Sequence, residues 1–155
     1  MAVRNQSVNL EEGNVGPILD QYNIYVSSAE AISHKRQAAN TYFLTINTLL
    51  AAYYGIQISS TFSEIYQVAV SLAGIVLCYT WYRLIRSYKD LNTAKFKVIH
   101  QIEMLLPLKP FDEEWEMVGR GENPKLYLQF TKVEMRIPWI FMAINFTALI
   151  MRIPW

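Results

Sequence analysis

Charged residues avoid two windows of the chain, Thr41 to Ile58 and Ile65 to Tyr82. Each window holds 18 residues without Asp, Glu, Lys, Arg or His, and six residues separate them. At about 1.5 Å per residue, a helix of that length covers most of a hydrocarbon layer roughly 30 Å thick. The pattern predicts a transmembrane hairpin. Lipid is then the solvent of the middle of the chain.

The flanks have a different period. From Pro17 onwards, Ile18, Leu19, Tyr22, Tyr25, Val26, Ala29 and Ile32 recur at helical spacing. No Pro or Gly interrupts the run before Gly55, so one long helix is expected, or a break near Ser27, where Ser27 and Glu30 have capping-box spacing. Beyond the second window, Leu84, Tyr88, Leu91, Lys95, Val98, Ile102 and Leu105 line one side of a continued helix, and the N-terminal amphipathic helix is the expected cover for that side. Leu106-Pro107 and Pro110 stop it. Asp112 is then expected to cap a short acidic helix through Met117, and Gly119-Arg120-Gly121 to turn the chain. Thr131 and Glu134 form another candidate capping box ahead of an apolar run, Ile137 to Met151. Fifteen residues reach only about 23 Å. A packed helix, an interfacial helix and a short third span all remain open, and Pro138 weighs against a continuous span.

The reading is therefore an all-α membrane protein. It has a polar tail at 1–16, a cytoplasmic amphipathic helix at 17–40, the hairpin at 41–82, a cytoplasmic helical region at 83–136 and an apolar C-terminal helix at 137–155. The polar tail lacks the apolar core of a cleaved leader.

Charge orients the hairpin. His34, Lys35 and Arg36 precede it, Arg83, Arg86, Lys89, Lys95 and Lys97 follow it, and the connection at 59–64 has no Lys or Arg. The positive-inside rule places both flanks, and the N-terminus, in the cytoplasm. Tyr42, Phe43, Trp81 and Tyr82 would mark the inner interface. Thr61 and Glu64 would cap the second helix. Arg83, Arg86 and Lys89 are candidate contacts for anionic lipid. A net charge of +1 gives no argument for nucleic acid, which is not expected as a partner.

Polar and small residues inside the windows are the candidates for packing between copies or for lining a pore: Asn47, Thr48, Ala51, Gly55, Gln67, Ser71 and Gly74. The single cysteine, Cys78, reads as a lipid-facing or packing residue. No strongly ionisable group occupies either window, which disfavours a proton relay. The two histidines, His34 and His100, have no metal-site spacing to other ligands, and no nucleophile elbow or phosphate loop is present, so no cofactor or catalytic residue is expected. The acidic segment offers Trp115, Glu113 and Glu116 as a contact for an unidentified protein partner.

The stretches Ile32 to Asn47, Trp81 to Tyr88, Leu91 to His100, Glu114 to Gly121 and Pro138-Trp139 resemble, in order, the RipA family of small bacterial membrane proteins. The resemblance covers roughly Gln21 to Trp139. It implies an inner-membrane protein that assembles as an octamer, with both flanks of the hairpin in the cytoplasm. A non-enzymatic oligomeric scaffold or regulator follows as the first expectation. A pore or membrane-perturbing effector in stress or phage defence is the alternative. The pentapeptide Met-Arg-Ile-Pro-Trp occurs at 135–139 and again at 151–155, without a physical account.

Overall fold

The computed structural model describes residues 15–57 and 64–151. They form α1 (Val15–Gln57), α2 (Glu64–Glu103), α3 (Pro110–Met117), a 3-10 turn (Gly119–Gly121), α4 (Phe130–Glu134) and α5 (Ile137–Ile150). The described part is all-helical. Thr61, the proposed cap of the second helix, lies outside the described residues.

α1 runs 43 residues without a break. Ser27 therefore does not cap a second helix. It stays exposed, and no Pro or Gly nearby interrupts the ladder. α2 runs 40 residues and stops at Glu103, just ahead of the expected stop at Leu106-Pro107. Two stretches are long and apolar enough to cross a membrane, Ile65–Glu103 and Phe130–Ile150. The second of these contains all but the last residue of the run that sequence left open. Pro138 does not kink it, because it occupies the first turn of α5, where no intrahelical amide is needed.

α1, which carries the first charge-free window of the expected hairpin, is not one of these two, because its Thr and Asn residues lower its hydropathy although it is uncharged there. Its hydroxyls and amide are satisfied inside the helix: Thr41 Oγ1 donates to Gln37 O, Thr45 to Thr41 O, Thr48 to Leu44 O and Asn47 Nδ2 to Phe43 O, at 2.8–3.1 Å. Such back-bonding removes most of the penalty for placing these groups in lipid.

The chain divides into two compact units, and α1 and α2 each contribute to both. The first comprises, among described residues, 15–32 and 91–128. Here the α2 stripe is rotated from the expected one. Ile99 and Glu103 are buried, while Leu91 and Leu105 are exposed. The face turned to α1 is partly polar. Lys95 Nζ donates to Ser28 Oγ at 2.5 Å and lies 5.9 Å from the centre of the Tyr25 ring. Phe111 of α3 completes the core, against Tyr22 and edge-on to Phe96.

The second unit comprises 33–57, 64–90 and 129–151 among described residues. It is a bundle of α1, α2 and α5. Phe43 stacks on Trp81 with ring centres 5.8 Å apart and planes 7° apart, and Phe141 meets the same indole at 6.3 Å, tilted by 40°. Ile85, Leu77, Leu84, Met135 and Ile137 fill around them. Arg36 donates to Thr131 Oγ1 at 3.1 Å and lies 3.6 Å from Glu134. Thr131 is thus an acceptor inside α4, not the cap expected of it, since Gln129 holds the cap position.

Candidate functional site

Two buried polar clusters stand out, one in each unit. In the second unit a polar seam runs between the helices of the bundle. Its residues follow the alternating three- and four-residue step of a packed helix face. On α2 these are Gln67, Ser71, Gly74, Cys78, Trp81 and Ile85, all buried. α1 supplies Asn40, Asn47 and Tyr54, and α5 supplies Asn145.

The bonds run in one direction along the seam. Tyr54 Oη donates to Asn145 Oδ1 at 2.9 Å. Asn145 Nδ2 donates to Phe141 O at 2.8 Å and faces Cys78 Sγ at 3.9 Å. Cys78 Sγ donates to Asn47 Oδ1 at 3.1 Å, and Trp81 Nε1 donates to Asn40 Oδ1 at 2.9 Å. All three helices are tied by these side-chain bonds. Gly74 sits where Asn145 needs space: a Cβ added there would lie 2.0 Å from Asn145 Oδ1. The glycine is required by close approach.

Of the seven residues expected to pack between copies or line a pore, Asn47, Gln67, Ser71 and Gly74 are taken up inside the chain's own bundle. Thr48 and Gly55 face outward, with open space around Gly55, and Ala51 is half-buried. Cys78 is fully buried, which settles its two readings in favour of packing. Asn40, Tyr54 and Asn145 were not singled out by sequence. The seven-residue spacing of Asn40, Asn47 and Tyr54 is a signal that could have found two of them. Asn47→Leu should cost about 1 kcal/mol, since one weak interhelical bond is lost and leucine fills a similar buried volume. Thermal denaturation in detergent checks this.

The second cluster surrounds Glu103, whose residue is 0% exposed. Its carboxylate accepts from Tyr22 Oη at 3.0 Å and from the amides of Phe111 and Asp112 at 2.9 and 3.2 Å, and contacts His100 Nδ1 at 3.0 Å. The amides of Phe111 and Asp112 belong to the first turn of α3. Lys109 holds the cap position without a side-chain bond, and Asp112 lies inside the helix. The expected Asp112 cap is therefore replaced by a carboxylate from the end of α2, which also favours the positive end of the α3 dipole. Burial first, then the Glu103 bond and its charge, push the Tyr22 phenol up to about 12.

The remaining candidates stand apart. Trp115 packs edge-on against Tyr127 at 6.1 Å, Glu116 pairs with Arg120 at 2.7 Å, and Glu113 is exposed. Arg120 adopts a left-handed φ of 50°, between Gly119 at 65° and Gly121 at 70°, and its bonds to Glu116 and Asp112 hold it there. Arg83 and Arg86 are exposed and Lys89 is half-buried. Among the described residues, no three His, Cys, Asp or Glu side chains converge as a metal site would need.

α5 lies antiparallel to the membrane window of α2. Trp139 meets Tyr82 edge-on at 5.4 Å, Phe141 meets Trp81, and Asn145 reaches Cys78. The polar seam in an otherwise apolar bundle fixes the three helices against one another. No curated protein and no solved structure matches the chain. The model of one family, described as the octameric membrane protein family (8xMP), matches residues 19–154. That range takes in every described helix except the start of α1, and the chain belongs to the octameric membrane protein family.

Proposed function

We propose that this chain is a non-enzymatic homo-octamer of the bacterial inner membrane, of the RipA type, acting as a scaffold or regulator at the cytoplasmic face. The observation that carries this reading is the seam. Asn47, Tyr54, Cys78 and Asn145 bond to one another within the chain, so its buried polar groups serve helix association. Arg83, Arg86 and Lys89 would hold anionic headgroups at the inner interface, and the N-terminus would be cytoplasmic. Trp115, Glu113 and Glu116 are offered as the contact for a protein partner.

In this reading α5 is the third membrane segment, because its residues run beside those of the α2 window from Tyr82 to Gly74. Its C-terminal end would then face outside. Met151→Cys should react with a membrane-impermeant maleimide added to intact spheroplasts, whereas a cysteine at Asn23 should react only after lysis. Protection of position 151 until lysis would contradict the third crossing.

The pore alternative draws on one observation: Thr41, Thr45 and Thr48 form an exposed hydroxyl row on α1. Full-length protein in anionic vesicles is expected to retain a trapped dye as empty vesicles do. Release that disappears on Thr45→Leu with Thr48→Leu would favour the pore and overturn the scaffold.

A further inference from the structure

Resting on the headgroup contacts proposed above, we infer that the groove between α2 and the α4–α5 junction holds one anionic phospholipid, its phosphate taken by Arg86 and Arg136 just beyond the Tyr82–Trp139 ring pair. The two rings touch edge-on at 5.4 Å, which fixes the faces that meet. On α2, Arg86 and Lys89 stand four and seven residues after Tyr82, on the same helix face. On the antiparallel neighbour, Arg136 and Lys132 stand three and seven residues before Trp139. Helical spacing carries through the α4–α5 junction, because Met135 and Arg136 keep right-handed helical backbone, with φ of −66° and −83° and ψ of −17° and −29°. Two cationic rows therefore leave one aromatic contact in the same direction. Arg86 and Arg136 come first, about 5 Å along the helices, and Lys89 and Lys132 follow a turn later. Packing holds the rows: Met135 and Ile137, on either side of Arg136, rest with Leu84 against the core of Phe43, Trp81 and Ile85.

These cations are not neutralised within the chain. Arg86, Lys132 and Arg136 are exposed and Lys89 is half-buried, and none of the four has an ion-pair partner among the described residues. The described carboxylates of this unit at the same end are Asp90 and Glu134. Glu134 lies 3.6 Å from Arg36 of α1, and at two residues from both Lys132 and Arg136 it is on the far side of its helix. Asp90 is one residue past Lys89, about 100° off the row. Lys35 of α1 adds a further positive charge. Depth names the occupant. Tyr82 closes the second charge-free window and Trp139 opens the apolar run of α5, so their contact marks the headgroup boundary. Cations one turn outside it meet lipid phosphate, and the arginine fork matches two phosphate oxygens. Arg83 stands on the neighbouring row, its Nη1 3.4 Å from Tyr79 Oη, and is a separate contact.

The test is native mass spectrometry of the full-length protein in detergent, titrated with dioleoylphosphatidylglycerol or dioleoylphosphatidylcholine. The parent is expected to retain one phosphatidylglycerol per chain, about tenfold more tightly than phosphatidylcholine. Arg86→Gln with Arg136→Gln should remove that preference. Lys35→Gln with Lys97→Gln removes two like charges outside the groove and should keep it. All four residues are exposed, so helix content by circular dichroism should match the parent. Equal loss in the two double variants would make the attraction diffuse and overturn the site, leaving headgroup binding at this face standing. A preference that survives Arg86→Gln with Arg136→Gln overturns it as well. So does release of the lipid by excess inorganic phosphate, which would assign the cations to the free anion. A parent with no preference for phosphatidylglycerol overturns the headgroup reading and this inference together.

Discussion

Glu103→Ala is expected to destabilise the first unit by about 3–5 kcal/mol, the range for breaking a buried charged network. The carboxylate is fully buried and receives the Tyr22 hydroxyl, the His100 ring and two amides of α3. Alanine would leave those part-buried donors without their acceptor, at about 1–3 kcal/mol for each group that water cannot reach. Because the network joins α1, α2 and α3, the damage should be regional. Amide hydrogen exchange in 104–128 should quicken by orders of magnitude, while exchange in the buried windows of the second unit stays slow. Glu103→Gln should fall between parent and alanine, since the amide keeps one acceptor and turns a donor towards groups that themselves donate. Unchanged exchange at Phe111 and Asp112 in either variant would contradict the proposed cap.

The same network has a pH signature. The folded Tyr22 phenol titrates at about 12, above its ordinary value of 10.0. Below pH 10 it is protonated both folded and unfolded, and its contribution is complete. That contribution is lost progressively as pH rises through about 12, because the unfolded chain gives up its proton more readily. Tyr22→Phe should remove this part of the alkaline loss, measured as stability between pH 9 and 12 against the parent.

Gly74→Ala should destabilise the bundle by about 2–3 kcal/mol, from overpacking together with loss of the Tyr54–Asn145 bond. The added methyl would lie 2.0 Å from Asn145 Oδ1 and 2.5 Å from its Cγ, so the amide must leave its site. Asn145 is 2% exposed and held by Tyr54 and the Phe141 carbonyl, which leaves it nowhere favourable to go. The interaction is testable by a cycle. Asn145→Ala removes the obstacle, so the double variant should be less destabilised than the sum of the two single ones. Strict additivity would mean that α5 does not pack on α2 at this level.

The long helices were legible from charge-free windows and helical periodicity alone. That signal is strong because both lipid and packing select on it over many residues. Facing was less legible. A one-residue rotation moved the buried stripe on α2 from Leu91 and Leu105 to Ile99 and Glu103, because a carboxylate with four polar neighbours is buried more cheaply than a pattern of apolarity suggests. Caps were misread for a related reason. Asp112 and Thr131 have the local spacing, but the donors they were expected to meet are served from elsewhere in the chain, or the residue itself sits one turn further in. Cys78 was ambiguous because a thiol suits lipid and core alike; its partner Asn145 lies 67 residues away, and no local rule connects them. The apolar C-terminal run was obscured by Pro138, read as a kink and found at a helix start.

Self-association of a membrane-embedded bundle is the claim on which the rest depends. Native mass spectrometry of the full-length protein, released from nanodiscs at several protein-to-lipid ratios, measures it. The account predicts one dominant species at eight times the 18.0 kDa chain mass. A single-chain species persisting at every ratio would contradict it.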